Sequence, residues 1–250
     1  SKPDVSYYYS AILLDEGQDA NPVISSFVLA QRCIVIFVGD RHQQIYRFRG
    51  AENALDVAEM RAATRLYLTS SFRFGPQVSM VANAIMALKG EQRSLIGRGK
   101  QDQVLMELPE DAFPRAVLSR TIIGCINSGL YYAHKGFKVY WAGGVEGYQV
   151  SQLLDLYYLS MGQVNNIKNK SLISKYPNFE LYKKVAKQTK SFEMQRAIRV
   201  LKHHGDELPE LLTALRKNTV EKEEEADVII STAHKSKGLE WDYVELSDDY

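Results

Sequence analysis

Two short apolar runs, Ala11 to Leu14 and Cys33 to Val38, each end abruptly in a polar turn. The first opens into Asp15-Glu16-Gly17-Gln18-Asp19, and the second into Gly39-Asp40-Arg41-His42-Gln43-Gln44. Runs of this length without polar alternation fit strands buried on both faces. Residues with chemistry at their carboxyl ends fit a parallel sheet with helices on its flanks. The stretch Gly39 to Ala51 also holds two aromatics, Tyr46 and Phe48, and three arginines, Arg41, Arg47 and Arg49. That mixture suits a place where a phosphate and a nucleobase are both handled.

The rest of the chain agrees with an α/β architecture. Asn21-Pro22 reads as an N-cap and first helical position, opening a helix to about Gln31. Helices are also predicted over Ala51 to Met60, from Gly75-Pro76 to Leu88, over Ile122 to Ala133 and over Gln149 to Leu159. Strands are predicted at Arg65 to Leu68, Val104 to Leu108, Ala116 to Leu118, Lys138 to Trp141, Asp227 to Ser231 and Tyr243 to Leu246. Gly90 to Gln101 reads as a loop. After about Met161 strand character is lost. Lys168 to Lys190 carries seven lysines and one acid, Glu180, and helical periodicity runs on to Leu215. This stretch is predicted to be a small helical insertion. Its lysines fit a contact to duplex phosphates or a solvated helix face equally well.

Bulk composition narrows the class. The 250 residues carry a net charge of +1, so no whole-chain field marks a nucleic-acid binder, although a local basic patch could serve. Two cysteines in apolar segments argue against a disulfide framework and for a reducing compartment: cytoplasmic, nucleoid-associated in a bacterium, nuclear in a eukaryote. No apolar run is long enough to cross a bilayer and no signal-peptide pattern opens the chain. The chain opens close to one strand and stops soon after another, the pattern of a piece cut from something longer.

A strand followed by Asp-Glu can hold Mg²⁺ through the first carboxylate and activate water through the second. A lone example is most often a solvated acidic turn. Asp15-Glu16 followed one strand later by Gly-Asp-x-x-Gln is much rarer by chance. Gln43 there can orient water or bond a γ-phosphate without repelling it. Arg73 follows a further strand and suits the finger that stabilises transition-state charge, an effect of about 10³–10⁵ in rate. Phe72 beside it can stack on a base. A fourth element, Thr232 to Glu240, again follows a strand; Gly238 would let backbone approach a phosphate and Glu240 could accept from a ribose hydroxyl. Gly97-Arg98-Gly99-Lys100-Gln101 lacks both the spacing and the Ser/Thr of a phosphate loop, and is predicted to be a flexible loop.

In order and spacing, these elements resemble the motifs of the UvrD/Rep/PcrA superfamily 1 DNA helicases. Leu13 to Asp19 is similar to motif II, Gly39 to Ala51 to motif III, Leu68 to Arg73 to motif IV and Thr232 to Glu240 to motif V. The wording around His42 to Ala51 and Ser71 to Gly75 is most similar to the F-box DNA helicase branch. The resemblance implies two RecA-like P-loop NTPase motor domains with ATP between them and single-stranded DNA across their tops. Residues 1–64 would end the first motor domain, 65–160 and 223–250 would belong to the second, and 161–222 would be a reduced accessory insertion.

By the same matching, Asp15 and Glu16 take the metal and water-activation roles, Gln43 the γ-phosphate, and Arg73 the finger. Phe72, Gly238 and Glu240 would contact ATP. Tyr46, Phe48, Arg49, Thr232 and His234 would line the DNA path. ATP and Mg²⁺ are the implied cofactors. Single-stranded DNA, single-strand/duplex junctions and the missing remainder of the first motor domain are the implied partners. Members of the family move 3′ to 5′. Gly17 stands where alanine is usual, Phe48 where Trp is usual and Phe72 where Tyr is usual. Motif I and motif VI have no counterpart, so the chain alone is expected to hydrolyse ATP poorly. The alternative is a catalytically inactive helicase-like module that binds single-stranded nucleic acid or a partner protein.

Overall fold

The computed structural model describes residues 3–45, 53–57 and 62–249. The chain folds as two compact units, residues 1–100 and 101–250. Both are built from parallel strands and flanking helices, the predicted α/β class.

In the first unit, β1 (Ala11–Leu14) and β2 (Ile34–Phe37) pair in parallel, Ala11 opposite Ile34 and Leu14 opposite Phe37. The helix α1 (Pro22–Leu29) connects them. Asn21 caps it by accepting from the Val23 N–H at 2.8 Å, and Pro22 occupies the first turn, where no hydrogen bond is lost. The helix stops short of the expected Gln31. That side chain instead leaves to bond the amino-terminal segment, accepting from the Val5 N–H at 2.8 Å and donating to the Pro3 carbonyl at 3.2 Å. Pairing of β1 with β2 continues past the strand ends, through Val38 N–H to Leu14 O and Gly17 N–H to Val38 O. Both acidic turns are thereby fixed at the carboxyl end of one sheet.

The predicted strand at Arg65 to Leu68 is not formed. Leu66 and Leu68 are almost fully exposed, and the chain pairs two residues later, at β3 (Ser70–Ser71). Its partner, β4 (Ile96–Gly97), lies in the stretch predicted as loop. Between them α2 (Pro76–Leu88) follows Gly75 as predicted. The glycines of Gly97-Arg98-Gly99 have a structural reason rather than a flexible one. A Cβ on Gly97 would fall on the Gly75 carbonyl, and one on Gly99 would lie 2.8 Å from the Phe72 carbonyl oxygen. Of the predicted helix over Ala51 to Met60, only residues 53–57 are described; they hold a 3-10 turn, Ala54–Asp56.

The second unit is a four-stranded parallel sheet. Its strands are β5 (Arg115–Ser119), β6 (Val139–Trp141), β7 (Val228–Thr232) and β8 (Val244–Leu246), in the order β6-β7-β5-β8. β7 is buried along its whole length, its apolar Val228 to Ile230 running on into buried Ser231 and Thr232. Helix α3 (Ile122–His134) joins β5 to β6. Between β6 and β7 run α4 (Leu153–Ser160), α5 (Lys170–Lys175), α6 (Phe179–Gln188), α7 (Phe192–His204) and α8 (Leu208–Asn218). The lysine-rich stretch is helical as predicted, and it shares one core with the sheet. Val200, Leu208 and Leu215 pack with Leu130, Trp141 and Ile230 in a single buried cluster. Two predictions fail here. Val104 to Leu108 forms no strand, with Met106 fully exposed. The helix predicted from Gln149 starts only at Leu153, because Gln149 takes a left-handed conformation (φ +58°) between two 3-10 turns. No helix among the described residues is long and apolar enough to cross a membrane.

The close approach at Gly97 gives a direct test. Gly97→Ala should cost about 1–3 kcal/mol through overpacking and lower the thermal midpoint. An unchanged midpoint would show that β4 does not press on the start of α2.

Candidate functional site

β1 delivers Asp15 and Glu16 to the carboxyl edge of its sheet, both exposed. The Asp15 carboxylate accepts from the Glu16 N–H at 2.8 Å. Glu16 is left-handed (φ +52°), a conformation that costs a non-glycine residue about 1–3 kcal/mol and persists only where surroundings hold it. What holds it is Gln18. This side chain is fully buried; its Nε2 donates to Glu16 Oε2 at 2.5 Å and its Oε1 accepts from the Asp40 N–H at 3.0 Å. Gly39 leaves room for that amide, since a Cβ there would run into Gln18 Oε1.

Asp40 continues the chain of hydrogen bonds. Its Oδ1 accepts from the His42 N–H at 2.9 Å and its Oδ2 from Gln43 Nε2 at 3.0 Å. The two acidic turns are therefore one connected polar unit, Glu16 to Gln18 to Asp40 to Gln43. Gln43 itself is exposed, at the end of a 3-10 turn, Arg41–Gln43.

The same turn is held from the side by Glu91. Its Oε2 takes Arg41 Nη2 at 2.7 Å and His42 Nε2 at 3.3 Å, and its Oε1 takes Arg93 Nη1 at 3.1 Å. The backbone N–H groups of Gln92 and Arg93 donate to Oε1 as well, each at 3.1 Å. The Arg93 N–H, then Arg41 and His42, hold the Glu91 carboxyl down at about 2. Phe72 and Arg73 follow β3, and both side chains are exposed; Phe72 presents 77% of its surface.

In the second unit the turn after β7 is tightly built. Thr232 is buried, and its carbonyl accepts from the Lys235 and Ser236 N–H groups at 3.0 Å each. Lys235 Nζ lies 4.0 Å over the Tyr148 ring and donates to the Ala142 carbonyl at 3.3 Å; burial pulls its pKa below the usual lysine value. Gly238 takes φ +85°, a conformation for which glycine is suited. His234 and Glu240 are exposed. Tyr46, Phe48 and Arg49 lie outside the described residues.

An Asp-Glu pair at the end of a parallel strand suits Mg²⁺, which binds through one or two carboxylates and keeps waters and phosphate oxygens for its other positions. Among the described residues no three His, Cys, Asp or Glu side chains converge on a point, so no all-protein cage competes with that arrangement. The sequence has no Gly-Lys followed by Ser or Thr to cradle phosphates.

Comparison with known proteins settles the lineage. Residues 3–59 match the UvrD/REP helicase N-terminal domain, the stretch that carries both acidic turns. The whole chain aligns with F-box DNA helicase 1 of Gallus gallus, 34% identical over 261 residues. The chain is UvrD-like, and over its whole length it is similar to an F-box DNA helicase. F-box DNA helicase protein 1 of Schizosaccharomyces pombe is 29% identical over 269 residues, covering 99% of the chain. The chain spans 25% of the chicken protein and 30% of the yeast one.

Sequence reasoning missed two residues of this candidate site. Gln18 had a signal in Gly39 one strand away, where a Cβ would run into its amide oxygen. Glu91 had none, since its partners are fifty residues distant.

The Glu91 cluster carries a pH signature. Its folded pKa, about 2, lies below the ordinary 4.5, so the unfolded chain takes up the proton first as pH falls. The stability it contributes is complete above pH 4.5 and is lost as pH falls toward 2. The thermal midpoint of the wild type should therefore fall more steeply across that window than that of Glu91→Gln. Parallel curves would place the titrating group elsewhere.

Proposed function

We propose that this chain is a segment of an ATP-dependent DNA helicase that moves 3′ to 5′ on single-stranded DNA and unwinds duplex. The observation that carries the reading is the hydrogen-bonded line from Glu16 to Gln43, which joins a candidate water-activating carboxylate to a candidate γ-phosphate contact. A dead module has no use for that line, which favours a working motor over an inactive one.

In this reading Asp15 holds the metal and Glu16 takes the proton of the attacking water. Mg²⁺, when bound, neutralises charge on the phosphate oxygens. The strained backbone at Glu16 and its bond to Gln18 fix the direction of the carboxylate before substrate arrives, the geometric condition for proton transfer. Gln43 contacts the γ-phosphate, and Arg73 stabilises the charge that develops there. Phe72, exposed beside Arg73, packs on adenine, and Gly238 and Glu240 add further nucleotide contacts. Tyr46 and Phe48 stack on bases, with Arg49, Thr232 and His234 along the strand, a sequence-tolerant mode of recognition. The remainder of the first motor domain supplies the phosphate cradle. The names of the relatives, both F-box DNA helicases, support DNA as the track. Residues 1–64 would belong to the first motor domain, with 65–160 and 223–250 in the second and 161–222 inserted in it.

The test is DNA-stimulated ATP hydrolysis by the full-length protein. Glu16→Gln removes the proton acceptor without changing shape, and should lower kcat by about 10²–10⁴. Equal turnover in the two proteins would discredit the catalytic reading.

A further inference from the structure

The site leaves one carboxylate without an assigned task. Glu91 follows α2 on an otherwise polar loop, yet its side chain is only 12% exposed and both its oxygens are engaged. Its partners are not a random pair of side chains. Arg41 and His42 are the first two residues of the 3-10 turn whose third residue is Gln43. The carboxylate is delivered from a braced loop: two of its own backbone N–H groups point at Oε1, and Arg93 is held with its guanidinium 3.7 Å above the Tyr67 ring. The turn therefore has two anchors. Asp40 grips the His42 backbone and the Gln43 amide, and Glu91 grips the side chains of Arg41 and His42.

We propose that Glu91 is a positioning residue: by clamping Arg41 and His42 it sets the turn that presents Gln43 to the γ-phosphate. The inference rests on the helicase reading above and deepens it. Arg41 is half exposed, so its own pair with Glu91 adds little to the stability that the Arg93 N–H bond gives the carboxylate; what the pair supplies is the register of the turn. Arg41, His42 and Glu91 all lie in the first compact unit, so the clamp acts within that unit.

The experiment uses DNA-stimulated ATP hydrolysis by the full-length protein, with Glu16→Gln alongside. Glu91→Gln should lower kcat about three- to tenfold with KM for ATP changed less than about twofold, because the turn is mispositioned while the rest of the site still binds. Arg41→Gln, at a half-exposed side chain remote from the core, should reproduce the effect. In a Gln43→Ala background, followed by single-turnover kinetics, Glu91→Gln should cause no further loss, since its action passes through Gln43. Wild-type kcat in both single variants, or an undiminished Glu91→Gln effect without Gln43, overturns the proposal. Wild-type turnover in Glu16→Gln overturns the helicase reading and the clamp with it. That result is distinct from a silent Glu91→Gln in a protein that Glu16→Gln inactivates.

Discussion

The first unit depends on one buried side-chain amide. Gln18 has no access to solvent, so each of its polar ends must find a partner inside the protein or impose a penalty of about 1–3 kcal/mol. One end takes the Asp40 N–H and the other the Glu16 carboxylate. The left-handed backbone at Glu16 and the glycine at position 39 give that amide its place, on an edge already set by the pairing of β1 with β2. Two turns separated by a helix and a strand thus become a single rigid edge, and the proposed chemistry depends on that rigidity.

The carboxyl end of β7 shows the same design in another form. Here the turn is held by a cation rather than an amide: Lys235 reaches under its own loop to the Ala142 carbonyl and the Tyr148 ring. The start of α3 is tied down nearby in the chain's own sheet by Asp249. Burial raises the pKa of that carboxyl, but hydrogen bonds from the Ser247 and Thr121 hydroxyls and from the Arg120 and Thr121 N–H groups outweigh it and lower it. The loops that leave β5 and β7 are thereby braced.

Much of this was legible in the residues. The apolar runs at 11–14 and 34–37 marked strands, but not strands covered on both faces: Leu13, Ile34 and Ile36 are exposed in alternation with half-buried neighbours, and among the described strands only β7 is buried throughout. Pro22 and Pro76 marked helix starts through the missing N–H. The failures have physical causes. Leu66, Leu68 and Met106 look like strand residues, but side-chain type reports what a surface could bury, and here nothing covers them. Gly97 and Gly99 read as flexibility; their reason is a backbone contact with Phe72 to Gly75, far off along the chain, which no local pattern reveals. In the site, Asp15, Glu16 and Gln43 were legible as types in a spacing. The amide that connects them and the carboxylate at position 91 were not, since hydrogen-bond partners across strands leave no period in sequence.

The central claim is that Gln18 locks the two acidic turns together. Amide hydrogen exchange at Asp40 reads this most directly, because that N–H is the donor Gln18 accepts. In the full-length protein the Asp40 amide should exchange slowly, and Gln18→Ala should raise its rate at least tenfold while amides within α2 keep theirs, a change of about 1.4 kcal/mol in local opening. Fast exchange at Asp40 in the wild type, or the same rate in both proteins, would contradict the account.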